Sequence, residues 1–237
     1  MPRTTQAFFD FLQRHAMQSQ QLYLLGDLFE YWAGDDDIAT PYNQQVIDAI
    51  RAVSKAGVAV FWMSGNRDFL VGNDFSQATG ATLLSDPFVT VIAGQRLVLA
   101  HGDAQCTDDA AYMAFRAQVR QKNWQDGFLA MPLTQRKKII EGLRIESRNA
   151  QREKSYDIMD VNASAIATLF DDTNTALMIH GHTHRPARHE YQQNGGSRIR
   201  YVLPDWDCDV QPPRGGWIAI HADGAIQRVA LDSGVLR

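Results

Sequence analysis

Four short, largely apolar segments of this chain each run straight into a glycine-flanked polar motif. Residues 22–25 end at Gly26-Asp27, 58–63 at Ser64-Gly65-Asn66-Arg67-Asp68, 96–100 at His101-Gly102-Asp103, and 176–179 at His180-Gly181-His182-Thr183-His184. An apolar run of this length closed by turn-forming residues predicts a buried strand. In α/β proteins the carboxyl ends of strands form the edge at which ligands bind, because loops converge there on a rigid base. The pattern therefore predicts an α/β fold with a polar site gathered from four loops.

The remaining pattern fills in the architecture. Ala7, Phe8, Phe11 and Leu12 recur at helical spacing within 4–16, and a second helix is predicted over 43–56, closed by Gly57. Residues 88–92 and 96–100, joined at Ala93-Gly94-Gln95, read as a hairpin. Further strands are expected at 199–203, 217–220 and 225–231, with a turn at Ala222-Asp223-Gly224. Residues 107–170 are mostly helical in pattern, with Thr107 able to N-cap the first helix. They are expected to form a helical cap inserted into one domain spanning 1–237.

Composition narrows the function classes. Lys plus Arg total 23 against 27 for Asp plus Glu, a net charge of −4. A broad basic surface is thereby excluded, and with it sequence-independent nucleic-acid binding. No apolar run approaches the roughly 20 residues of a spanning helix. Met1 is followed by Pro2, Arg3, Thr4 and Thr5 rather than by the apolar stretch of a signal peptide. Two cysteines, Cys106 and Cys208, are too few for a disulfide framework and fit a reducing compartment. A cytoplasmic protein is expected.

The strand-end loops together offer Asp27, Asn66, His101, His182 and His184. This mixture of carboxylate, amide and imidazole suits a divalent ion such as Mn²⁺ better than a thiolate zinc site, and Cys106 has no nearby second cysteine. In an extended strand end, residues i and i+2 share a side, so His182 and His184 are expected to aim at one spot. His15, His189 and His221 read as surface or core residues. One carboxylate can bridge two ions that clamp a phosphoryl centre and activate water. Arg67 is placed to grip a phosphate oxygen.

These residues resemble the calcineurin-like metallophosphoesterases, whose pattern runs D-x-H, G-D, G-N-[HR], H, G-H-x-H. Within that superfamily the chain is similar to the UDP-2,3-diacylglucosamine diphosphatase family of lipid A synthesis. The resemblance is carried by Leu25-Gly26-Asp27-Leu28-Phe29-Glu30, Gly34-Asp35-Asp36-Asp37, Gly65-Asn66-Arg67-Asp68-Phe69-Leu70, Cys106-Thr107-Asp108-Asp109 and His180 to Pro186. It implies a two-sheet αββα sandwich, a Mn²⁺ pair, and hydrolysis of the pyrophosphate of a UDP-linked diacyl sugar to UMP and the diacylglucosamine 1-phosphate. It implies Asp27, Asn66, His101 and His182 as ligands of one ion, with Asp27 bridging to a second held by His184. Asn66 and Arg67 take the catalytic positions, Arg67 on a substrate phosphate. Asp109, Tyr112, Ser147 and Lys154 match substrate contacts alongside Asn66, Arg67 and His182. Gln151 stands where the family has Asn.

The chain departs from the pattern at its start. No D-x-H precedes Gly26-Asp27, and Asp10 and His15 lie inside the first helical pattern at the wrong spacing. The first strand of the fold is expected to be missing, with the given sequence short at its amino end and the second ion's ligand set incomplete. In the cap, Tyr112, Phe115, Trp124, Phe128, Leu129 and Met131 accompany Arg136, Lys137, Lys138, Arg144, Arg148, Arg152 and Lys154. On the residues alone this reads as packing aromatics beside a solvated basic helix face. The resemblance favours an acyl-binding wall with basic residues on anionic headgroups, and peripheral attachment to the cytoplasmic face of the inner membrane. Two rival functions stand beside this one: another phosphodiesterase or phosphatase of the superfamily, and a catalytically impaired lipid- or nucleotide-binding homologue.

Overall fold

A computed structural model describes residues 1–153, 160–193, 196–231 and 234–236, with side chains omitted over 148–153, at 193 and over 234–236. In chain order the elements are α1 (Pro2–Arg14), β1 (Gln21–Leu24), α2 (Pro41–Lys55), β2 (Ala59–Met63), α3 (Asn73–Thr79) and β3 (Thr82–Leu84). Next come β4 (Phe88–Ile92), β5 (Gln95–Ala100), α4 (Ala110–Val119), α5 (Lys122–Leu129), α6 (Leu133–Glu153) and α7 (Ala163–Thr173). The chain closes with β6 (Leu177–His180), β7 (Arg188–Gln193), β8 (Gly196–Val202), β9 (Gly216–Ile220), β10 (Ile226–Ala230) and β11 (Gly234–Leu236).

The strands form two layers, as expected for an αββα sandwich. One layer is a five-stranded sheet in the order β4-β5-β6-β8-β7, parallel through β5, β6 and β8 and antiparallel at both edges. The other holds the parallel sheet β1-β2-β3 and the antiparallel sheet β9-β10-β11. Strand alternation sorts their side chains. Leu22 of β1 and Trp217 of β9 join the cluster under α1 and α2, whereas Tyr23 and Ile218 face the five-stranded sheet with Leu97, Leu99 and Ile179. Among the described residues β1 pairs with β2 and β9 with β10, so each leaves one edge unpaired on a shared cavity of about 2700 Å³.

Periodicity accounts for the outer helices. Phe8, Phe11 and Leu12 of α1 are buried, each worth about 1.5–3 kcal/mol against exposure. Val46, Ile47, Ile50 and Val53 do the same for α2. On the opposite face, Ile166, Leu169 and Phe170 of α7 pack on Val98, Ala100 and Met178 of the five-stranded sheet. Asp109, rather than Thr107, caps α4, its side chain accepting the Tyr112 N–H. Thr107 lies too far ahead of the first helical turn to reach it.

The Asp35-Asp36-Asp37 triplet is a structural hub. Asp35 accepts the N–H groups of Gly72, Asp74 and Phe75 at the start of α3 and the indole N–H of Trp32. Asp36 and Asp37 pair with Arg136 and Lys137 of α6. Arg136 is buried and also donates to the carbonyls of Ala33 and Met131. Arg144 reaches Glu30 at 2.5 Å. Three basic side chains of α6 therefore fasten it to the loops of residues 30–37.

Candidate metal and phosphate site

All four polar loops meet at one end of the sandwich. The loop after β1 carries Asp27, that after β2 Asn66 and Arg67, that after β5 His101, and that after β6 His182 and His184. Ligand-type atoms of Asp27, His101 and His182 lie within 4.8 Å of one another. Asn66 Oδ1 is 3.1 Å from His101 Nε2 and 2.9 Å from His182 Nδ1.

Tight turns make this convergence possible. Gly26 has φ +87°, and a Cβ there would run into the Gly65 backbone. A Cβ on Gly65 would in turn strike the Asp27 carboxylate. His182 and His184 reach the site from left-handed backbone, φ 62° and 56°, not from the extended strand end expected from their i, i+2 spacing. That conformation is uncommon for a residue with a Cβ and persists only where surrounding structure holds it. His180, the first imidazole of the triplet, turns away. Its Nδ1 donates to the Gly181 carbonyl and its Nε2 accepts from Arg200. Burial, then the Arg200 charge, pushes its pKa down to about 3.

Asp68, fully buried, joins two of the loops. It accepts the Leu28 N–H at 3.0 Å and the Gly65 N–H at 2.7 Å. Burial, with the Asp27 charge added, raises its carboxyl to about 6. No sequence signal marks Asp68 as a clip, since it sits within the Gly65-Asn66-Arg67-Asp68 motif and reads as part of the ligand segment.

The donor set fits a divalent ion. His101 Nδ1 lies 2.8 Å from the Leu25 carbonyl, which can only accept, so the neutral ring carries its proton on Nδ1. Its Nε2 lone pair then faces Asn66 Oδ1 at 3.1 Å and Asp27 Oδ2 at 3.7 Å. That nitrogen also accepts the Asn66 backbone N–H at 3.4 Å, a long contact that leaves its lone pair open to a cation among these oxygens, or to a proton. Burial opposes a charge on His101, but Asp27 and Asp103 outweigh it and raise the pKa. Partial burial and the His101 charge hold His182 at about 4, in the neutral form a metal requires. Asp27, Asn66, His101 and His182 could hold such an ion.

The other predicted residues lie around this centre. His184 is exposed beside Asp205, Arg67 and Asp27. Arg67 Nε stands 3.6 Å from Asp27 Oδ2, and its Nη1 3.5 Å from Glu30. Asp109, Tyr112 and the exposed Ser147 line the cavity with Phe115, Trp124 and Leu143. The Tyr112 hydroxyl is bonded to Asp103 at 2.6 Å, and its ring stacks on His182 at 6.0 Å. Lys154 lies outside the described residues, as do the side chains of Arg148, Gln151 and Arg152.

Residues 3–186 match the sequence profile of the calcineurin-like phosphoesterases. The chain belongs to that family. It is 48% identical over 233 residues to a UDP-2,3-diacylglucosamine hydrolase of Aromatoleum aromaticum, covering 98% of this chain and 92% of the relative. A protein of the same name from Bordetella parapertussis is 45% identical over 226 residues, 94% of this chain and 87% of that one. One from Escherichia coli O81 is 42% identical over 231 residues, 98% and 90%. As a member of this family, the chain is a metal-dependent hydrolase.

Proposed function

We propose that this chain hydrolyses the pyrophosphate bond of UDP-2,3-diacylglucosamine to UMP and 2,3-diacylglucosamine 1-phosphate, a step of lipid A biosynthesis. The observation that carries this reading is the convergence of Asp27, Asn66 and His101 lone pairs at the strand ends, in a chain 48% identical to a hydrolase named for that substrate. Asp27, Asn66, His101 and His182 would hold one ion, and Asp27 with His184 would contribute to a second; Mn²⁺ suits this donor set. When bound, such ions activate water and neutralise phosphate charge. The Arg67 guanidinium would bind a non-bridging phosphate oxygen and hold the pyrophosphate in line. Water attacks one phosphorus, the bond from that phosphorus to the bridging oxygen breaks, the electron pair leaves on the second phosphate, and the proton the water loses passes to solvent or to that phosphate.

The cap supports the same substrate. Phe115, Trp124 and Leu143 give the cavity an apolar wall suited to acyl chains, while Asp109, Tyr112, Ser147 and Lys154 are the proposed polar contacts. Exposed Phe115, Leu129 and Ile145 on the cap suit peripheral contact with the cytoplasmic face of the inner membrane. No described helix is long and apolar enough to cross it.

Turnover of UDP-2,3-diacylglucosamine by wild type with added Mn²⁺, and its loss by orders of magnitude in folded Asn66→Ala and His101→Ala, is the expected result. An unchanged rate in either variant contradicts the site. The rival reading of an impaired binding protein draws on the short ligand set of the second ion. It predicts substrate binding with no product in wild type.

A further inference from the structure

The helix α4 and its C-cap residue Arg120 send three side chains to a single buried carboxylate beside the site. Tyr112, Arg116 and Arg120 recur at i, i+4 and i+8 and so lie on one face. Asp103 Oδ2 accepts the Tyr112 hydroxyl at 2.6 Å and Arg116 Nε at 2.9 Å, and Arg120 Nη2 stands 3.7 Å away. Asp103 is fully buried, and its Oδ1 has no hydrogen-bond partner among the described residues.

From this carboxylate the contacts pass to every loop of the candidate ion site except that of Asp27. Arg120 Nη2 donates to the Gly65 carbonyl at 2.9 Å, one residue before Asn66, and its guanidinium lies over the Phe69 ring at 5.4 Å. Arg116 stands 3.6 Å from Asp86, whose other oxygen accepts the His101 backbone N–H at 3.2 Å. The Tyr112 ring stacks on His182. A buried ionic group of this kind is often no more stable than well-packed apolar residues, so stability alone does not account for it. Its geometry links the cap to the ligand loops.

We infer that Asp103 and Arg120 are positioning residues, a latch that ties α4 to the loops bearing Asn66 and His101 and fixes the spacing of those ligands. Cap seating and metal geometry are thereby one event. The metal part of this inference rests on the site proposed above, whereas the latch itself does not.

Amide hydrogen exchange on the full chain without metal, followed by Mn²⁺ calorimetry, separates the two. Arg120→Gln is expected to speed exchange about tenfold over residues 64–68 and 101–106, with 95–99 unchanged, and to weaken Mn²⁺ binding by about tenfold, the usual scale for groups that orient ligands. Arg120→Lys, which keeps the charge and one donor, recovers most of both. Lys122→Gln, an exposed residue of the next helix, changes neither. Exchange and affinity within twofold of wild type in Arg120→Gln overturn the latch, as does a uniform rise in exchange that lysine does not rescue. Should Arg120→Gln fail to fold, Tyr112→Phe removes one O–H donor from the same carboxylate. Several-fold faster exchange over 101–106 then supports the latch and unchanged exchange overturns it. Absence of Mn²⁺ binding by wild type counts against the metal site, and the exchange result still decides the latch.

Discussion

The backbone N–H of Arg67 donates to Asp27 Oδ1 at 2.8 Å. A carboxylate proposed to hold a cation thus also fastens the loop after β2 to the loop after β1. The two duties separate on substitution. Asp27→Asn keeps an oxygen for the N–H but loses the charge, so the melting temperature should stay near that of wild type while hydrolysis falls by orders of magnitude. Loss of fold in parallel with activity would assign Asp27 a structural role only.

Asp68 clips the same loops from beneath. Asp68→Ala strands the N–H groups of Leu28 and Gly65, and urea unfolding should show a loss of about 1–3 kcal/mol. Asp68→Asn, which retains an acceptor, should lose less. Equal losses would mean that the hydrogen bonds are not what the carboxylate supplies.

Gly26 and Gly57 make a controlled pair. Both have φ near +90°, but a Cβ at Gly57 meets nothing within 4 Å, whereas at Gly26 it meets the Gly65 backbone and His101 Nδ1. Gly57→Ala should cost about 1–2 kcal/mol from backbone strain. Gly26→Ala should cost clearly more and disturb Mn²⁺ binding, as denaturant titration and calorimetry would report.

Arg136 is buried against the carbonyls of Ala33 and Met131. Arg136→Leu leaves both without their donor, at about 1–3 kcal/mol for each stranded group. Limited proteolysis should then cut within α6 before the sandwich.

Burial, reinforced by the charges of Asp103 and Asp160, pushes the Cys106 thiol up to about 12. An upward shift leaves a thiol protonated as pH rises, so the reactive thiolate is scarce in the native protein at pH 8. Alkylation should spare Cys106 between pH 7 and 10 and reach it only on unfolding, with Cys208 modified first.

The strands that carry the site were legible because each is an apolar run stopped by glycine, a local signal. The helices α1 and α2 were legible from their 3.6-residue period. The segment of α3 and β3 was not: Asn73, Asp74, Ser76 and Thr79 are weak helix formers, and the helix start is held by Asp35, 37 to 40 residues earlier. Nor was β7, whose Arg188-His189-Glu190 has no apolar run and owes its strand form to pairing with β8. The meeting of Asp27, Asn66, His101 and His182 followed from motif order. The left-handed turns at His182 and His184 did not, since they depend on contacts across loops. The resemblance implies Tyr112 as a substrate contact, yet its hydroxyl serves Asp103, a partner nine positions away that no local pattern reveals.

Phosphorus NMR of UDP-2,3-diacylglucosamine incubated with the full chain and Mn²⁺ tests the proposed reaction most directly. The pyrophosphate resonances should give way to two monophosphate signals, those of UMP and 2,3-diacylglucosamine 1-phosphate, and should persist with Asn66→Ala. Pyrophosphate resonances that persist with wild type, or that vanish equally with Asn66→Ala, would contradict it.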